Sequence, residues 1–161
     1  MTVREYNTTV NEHADNVYRF ILKNLRDEEM AQDVVQDAFL KMWEKASDIT
    51  FEKAKSYLYT TAYHTMIDMI RKRGRETGME DIHENMHSYE HGYSDAMEIL
   101  DEAVKRLPEV QRSALILRDY EGYSYQEIGD ILDLNESQVK VYIYRARVAL
   151  KKYIGNLETV I

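Results

Sequence analysis

A chain of 161 residues has room for one ordinary domain or two small ones, and its 44% hydrophobic content suits a soluble globular protein. It has no cysteine, which excludes disulfides, thiol nucleophiles and thiolate metal sites. There is also no apolar run near the roughly 18–20 residues of a membrane span, and "MTVREYNTTV" lacks a leader's apolar stretch, so a cytoplasmic protein without direct membrane insertion is expected. The net charge of −8 runs against a stand-alone nucleic-acid binder, which usually carries a basic total, so any DNA contact must be local and helped by a partner.

One proline and six glycines favour helices, and the elements read as an all-α fold. Residues 1–75 carry 12 basic and 12 acidic side chains and form a helical N-terminal domain. In "DEEMAQDVVQDAFLKMWEK" the apolar positions Met30, Ala31, Val34, Val35, Ala38, Phe39, Met42 and Trp43 make one broad helical face. Asp27 is placed to cap that helix, before two acids that suit its dipole. The polar stretch "ASDITFEK" over 46–53 precedes a second long helix over 54–73, with Leu58, Ala62, Met66 and Met69 inward and Gly74 as its stop. Residues 76–95 hold six acids and no base, with weak periodicity and two glycines, and read as an acidic, flexible linker. Residues 96–161 form the second domain, which opens with two helices broken near Leu107–Pro108. Pro108 suits the first position of the second of these, and Gly122 its end.

Local signals then agree on a helix-turn-helix. Ser124 and Glu127 have capping-box spacing, with Tyr123 and Ile128 as a hydrophobic staple. After a helix to about Leu132, Asn135 and Gln138 repeat the pattern, with Leu134 and Val139 as the second staple. Only "DLN" separates the helices, a turn of the required length. Gly129 supplies a small residue at their approach, and Asp133 sits where a left-handed backbone is needed.

The last helix has an inner face of Val139, Ile143, Ala146, Leu150 and Tyr153. Its outer face presents Ser137, Lys140, Val141, Tyr144, Val148 and Lys151, flanked by Arg145, Arg147 and Lys152. Cations, a hydroxyl and an aromatic on one face suit phosphate anchoring and major-groove edges. A basic amphipathic helix packed in a bundle would also carry terminal cations. Over 54–73, Tyr57, Thr60, His64 and Arg71 lie opposite the core face, with Ser56, Tyr63 and Ile67 at one edge. Aromatics among cations suit single-stranded DNA, although tyrosines at helical spacing also build cores. On the helix over 27–45 the outward face reads Glu29, Asp33, Gln36, Asp37, Leu40 and Glu44. An exposed leucine in an acidic stripe suggests a protein-binding ridge as well as a solvated face.

The segments "AQDVVQDAFLKMWEK", "YLYTTAYHTMIDMIRKR" and "LPEVQRSALILRDYEGYSYQEIGDILDLNESQVKVYIYRARVAL" resemble the extracytoplasmic-function (ECF) class of bacterial sigma factors, the minimal two-domain initiation subunits of RNA polymerase. The resemblance spans nearly the whole chain and is most specific at Asp33–Phe39 and Leu107–Ile128. It implies that Asp33, Gln36, Asp37 and Leu40 meet the β′ clamp helices of core RNA polymerase. The 46–53 loop, with Tyr57, Thr60, His64 and Arg71, would capture the unpaired −10 strand. Ser137, Lys140, Val141, Tyr144, Arg145, Arg147 and Lys151 would read the −35 duplex while the same domain docks on the β flap. The partners implied are therefore core polymerase, promoter DNA and an anti-sigma factor. An acidic total then fits, because the polymerase supplies most of the DNA affinity. The chain departs from the family pattern at Tyr57, where many relatives carry Trp, at His64, where Asn is common, and at Asp133, where the turn usually has Gly.

Other chemistries have less behind them. His83, His87 and His91 would share one face of a helical linker, but low periodicity speaks against a metal site there, and no metal or cofactor is expected. No phosphate loop, nucleophile–base motif or H-E-x-x-H signature is present, so no enzyme is expected. The rival reading is a stand-alone helix-turn-helix transcription regulator with an N-terminal helical sensor domain, dimeric on paired half-sites.

Overall fold

The structure, a computed structural model, describes residues 1–77 and 95–160. Seven α-helices and no strand occur among the described residues, as an all-α fold requires. The chain divides into two compact units, Met1–His87 and Ser88–Ile161. The three linker histidines lie outside the described residues.

The first unit is built from α1 (Val3–Leu25), α2 (Glu28–Glu44) and α3 (Ala54–Thr77). Thr2 and Glu5 cap α1 reciprocally, the Thr2 N–H donating to Glu5 Oε1 at 2.8 Å and the Glu5 N–H to Thr2 Oγ1 at 3.1 Å. Arg26 adopts a left-handed backbone, φ 58°, and closes α1. Asp27 follows at once as the cap of α2, accepting from the Met30 N–H at 3.0 Å. With only two residues between them, the helices form an αα-hairpin whose apolar faces must meet. Val17, Phe20 and Ile21 of α1 share the core with Met30, Ala31, Val34, Val35, Ala38 and Met42 of α2 and with Leu58, Ala62 and Met66 of α3.

Three expectations here are corrected. Trp43 is 48% exposed and stands edge-on to Tyr6, with ring centroids 5.0 Å apart; Phe39 is only partly buried. Tyr59 of α3 is fully buried instead, its ring 5.7 Å from that of the buried Phe20. Gly74 does not stop α3, which continues to Thr77; a glycine inside a helix is a weak breaker, costing about 1 kcal/mol against Ala. Tyr63 and Ile67, placed at an edge by the helical wheel, are buried, so the core stripe of α3 is wider than its sequence pattern.

The second unit holds α4 (Asp95–Lys105), α5 (Glu109–Leu115), α6 (Tyr125–Leu132) and α7 (Glu136–Val160). Pro108 precedes α5 as its cap residue, at φ −54° and ψ 146°, rather than occupying its first turn. Beyond Leu115 the helix widens into a π turn, Ile116–Tyr120, in which the Glu121 N–H reaches the Ile116 carbonyl at 3.1 Å. Gly122, at φ 74°, then turns the chain, with the Tyr123 N–H on the Leu117 carbonyl at 3.0 Å. The core consists of Val104, Leu107, Ala114 to Leu117, Ile128, Ile131, Val139, Ile143 and Ala146.

Candidate promoter and polymerase interfaces

Both caps of the helix-turn-helix form as their spacing predicts. Ser124 Oγ accepts from the Glu127 N–H at 3.1 Å, and Glu127 Oε1 accepts from the Ser124 N–H at 3.1 Å. At α7, Asn135 Oδ1 accepts from the Gln138 N–H at 2.8 Å, and Gln138 Oε1 from the Asn135 N–H at 2.9 Å. Asp133 takes the left-handed conformation, φ 59° and ψ 52°, and the Leu134 N–H returns to the Gly129 carbonyl at 2.9 Å. Tyr123 and Ile128 are buried, as are Gly129 and Val139 where the two helices cross.

On α7, Val139, Ile143 and Ala146 are buried and Leu150 and Tyr153 half-buried. Ser137, Lys140, Val141, Tyr144, Arg145, Val148 and Lys151 are all exposed, Tyr144 most strongly at 69%. An aromatic this open, among three cations, has its ring free for a groove. Lys140 is steadied by Glu136 at 3.8 Å and by the Tyr125 ring, whose centroid lies 5.5 Å from its Nζ. Arg118 covers the same ring at 4.3 Å. Arg147 stands differently. Its guanidinium grips Asp119 of the π turn with two hydrogen bonds, 2.6 Å and 3.2 Å, and that bonding raises its pKa above the ordinary value. The sequence offered no sign of this pair, because its partners lie 28 residues apart.

On α2, Asp33, Gln36 and Leu40 are exposed and Asp37 partly so, with Asp37 paired to Lys41 at 3.3 Å. Leu40 is 54% exposed, and Trp43, one turn further along, adds an aromatic that the sequence reading had placed in the core. In the loop, two short 3₁₀ turns, Ala46–Asp48 and Phe51–Lys53, hold Ile49 inward and Phe51 outward. An open cavity of about 430 Å³ is lined by Lys45, Asp48, Ile49, Thr50, Lys53 and Tyr57. Tyr57 thus joins the loop, with Thr60 partly buried and His64 and Arg71 exposed further along α3. No group of residues fit to hold a metal ion occurs among the described residues.

An all-helical chain whose second unit presents a capped helix-turn-helix with an open, basic outer face defines a DNA-binding transcription protein. Residues 9–76 match the family model of sigma-70 region 2, and residues 97–150 that of sigma-70 region 4. The chain is 30% identical over 141 residues to the ECF RNA polymerase sigma-E factor of Haemophilus influenzae, covering 78% of this chain and 75% of that protein. It is 27% identical over 144 residues to the ECF RNA polymerase sigma factor SigM of Bacillus subtilis, covering 86% and 88%. Among solved structures it is similar to the sigma factor RpoE in complex with the anti-sigma factor NepR from Bartonella quintana, with TM-score 0.78 and 24% identity over 95% of this chain and 98% of that one. The chain belongs to the ECF class of RNA polymerase sigma factors, the subunits that direct RNA polymerase in transcription initiation. The stand-alone regulator is thereby set aside.

Proposed function

We propose that the two units divide the work of a non-catalytic specificity subunit acting in the cytoplasm. Residues 1–75 dock on the β′ clamp helices of the polymerase through Asp33, Gln36, Asp37 and Leu40, and hold the unpaired −10 strand with Tyr57, Thr60, His64 and Arg71. Residues 96–161 read the −35 duplex through Ser137, Lys140, Val141, Tyr144, Arg145 and Lys151, with Arg147 beside them, and dock on the β flap; residues 76–95 join the two. The observation that carries this reading is the exposed face of α7. Three cations and an open tyrosine project from a helix whose start is fixed by a reciprocal cap. The net charge of −8 supports a binder that relies on the polymerase for most of its DNA affinity. An anti-sigma partner is proposed because the similar RpoE structure was determined with NepR, an anti-sigma factor. No helix among the described residues is long and apolar enough to cross a membrane.

The test is abortive transcription from a genomic promoter library, with the protein and sigma-free core polymerase, beside a gel shift with the protein alone. Core-dependent, promoter-specific RNA with negligible binding by the free protein is expected. Tight, specific duplex binding without core, and no initiation with it, would overturn the assignment of roles.

A further inference from the structure

Arg147 occupies the seam of α7. At 100° per residue it lies about 20° from Lys140 on the outer face and about 40° from Ile143 on the inner one. From this seam its Nη2 donates to Asp119 Oδ1 at 2.6 Å and its Nε to Asp119 Oδ2 at 3.2 Å. Such a fork engages both carboxylate oxygens and fixes direction as well as distance. Its anchor is firm, because Asp119 belongs to the π turn, whose Ile116 and Leu117 are buried. The neighbouring Arg118 adds a hydrogen bond from Nη1 to the Tyr123 carbonyl at 2.9 Å.

The other fixed end of α7 is its start, where Val139 packs beside Gly129 and the Asn135–Gln138 box closes the cap. Arg147 is eight residues beyond Val139, about 12 Å along the axis. Along its inner face α7 is held by apolar side chains, Ile143 and Ala146 buried and Leu150 and Tyr153 half-buried, and such non-directional contact fixes the depth of a helix more firmly than its roll. A second, directional anchor two turns further along removes that freedom. Roll matters here, because a few tens of degrees decide whether Lys140, Tyr144 and Lys151 meet a groove or its edge.

We propose that Asp119 is a positioning residue for promoter reading. Through Arg147 it sets the roll of α7, and Arg147 itself makes no phosphate contact. This rests on the reading of α7 as the duplex-reading helix. It also reassigns Arg147, which the sequence pattern had grouped with the DNA-contacting cations. Turning Arg147 toward a phosphate would break a charge-assisted fork and leave the Asp119 carboxylate uncompensated beside an anionic backbone.

The experiment measures binding of the holoenzyme to a selected promoter over a salt series, for the variants Asp119→Asn, Arg147→Gln, both together, and the exchanged pair Asp119→Arg with Arg147→Asp. Lys140→Ala calibrates a phosphate contact and is expected to flatten the salt dependence by about one unit of slope. Asp119→Asn and Arg147→Gln are each expected to weaken binding about threefold at every salt concentration with an unchanged slope, the size of effect a half-exposed pair supports. The double variant should be no weaker than either single one, and the exchanged pair should recover most of the loss. If Arg147→Gln flattens the slope by about one while Asp119→Asn leaves binding unchanged, the positioning role is overturned and the duplex-reading role of α7 stands. If Lys140→Ala changes nothing, both fall. Should Asp119→Asn lose its helical circular dichroism, Arg147→Lys decides: it keeps the charge and loses the fork. Positioning predicts that it binds as poorly as Arg147→Gln, whereas full binding by Arg147→Lys overturns positioning.

Discussion

Gly129 and Leu134 meet backbone to backbone: a Cβ added at Gly129 would stand 2.5 Å from the Leu134 carbonyl oxygen. No flexible side chain is there to move aside, and the Leu134 N–H is itself bonded to the Gly129 carbonyl. Gly→Ala inside a helix ordinarily gains about 1 kcal/mol. Here overpacking against the turn outweighs that gain, and Gly129→Ala is expected to destabilise the second unit by about 2 kcal/mol. Urea unfolding followed by circular dichroism measures it, and an unchanged midpoint would mean that the turn relaxes without cost.

The neighbouring Asp133 argues in the opposite direction. Its φ of 59° is a conformation that costs a residue with a Cβ roughly 1–2 kcal/mol and glycine nothing. Its carboxylate also stands at the negative end of α6. Glycine's greater freedom in the unfolded chain takes back about 0.5–1 kcal/mol. Asp133→Gly should therefore stabilise the unit by about 0.5 kcal/mol or slightly more, seen as a raised melting temperature. A loss of stability would show that the Asp133 side chain supports the turn in a way its backbone does not reveal.

What was legible in the sequence follows a physical line. Caps are settled within four residues, so Asp27, Ser124 with Glu127, Asn135 with Gln138, and the left-handed Asp133 could all be read from spacing. The outer face of α7 was also legible, because an amphipathic helix buries one stripe and exposes the other. Features set by distant partners were not. Trp43 looks like core by hydrophobicity yet faces outward, while Tyr59 fills the space beside Phe20. The π turn adds a residue that no propensity announces, and Asp119 finds Arg147 only once α7 has packed.

His13 gives the stability of the first unit a pH dependence. Its Nδ1 is buried with no hydrogen-bond partner among the described residues. Burial lowers its pKa below the ordinary 6.5, and Lys55 lowers it further, against the opposing pull of Glu12. The unfolded chain therefore takes up the proton first as pH falls. Stability from the neutral imidazole is complete above 6.5 and declines from there down to the lowered folded value, below which the loss levels off. His13→Gln should flatten the fall in urea midpoint between pH 7.5 and 5.5. An equal fall in both proteins would assign the effect to other groups.

Leu40 tests the acidic ridge of α2. It is 54% exposed, so Leu40→Asp removes little packing, and the melting temperature should hold to within the usual spread for surface substitutions, about 0.5 kcal/mol. At a protein interface the same side chain would act as an apolar anchor ringed by Asp33, Gln36 and Asp37, and a carboxylate in its place would be buried unpaired. Affinity for core polymerase should then fall at least tenfold, measured by competition with labelled wild-type protein. Asp33→Asn, at the rim of the same face, should act chiefly on the association rate and grow weaker as salt is raised. A Leu40→Asp protein that competes as well as the wild type would move the docking surface off this ridge, and Trp43, exposed one turn further along and braced by Tyr6, would become the next residue to substitute.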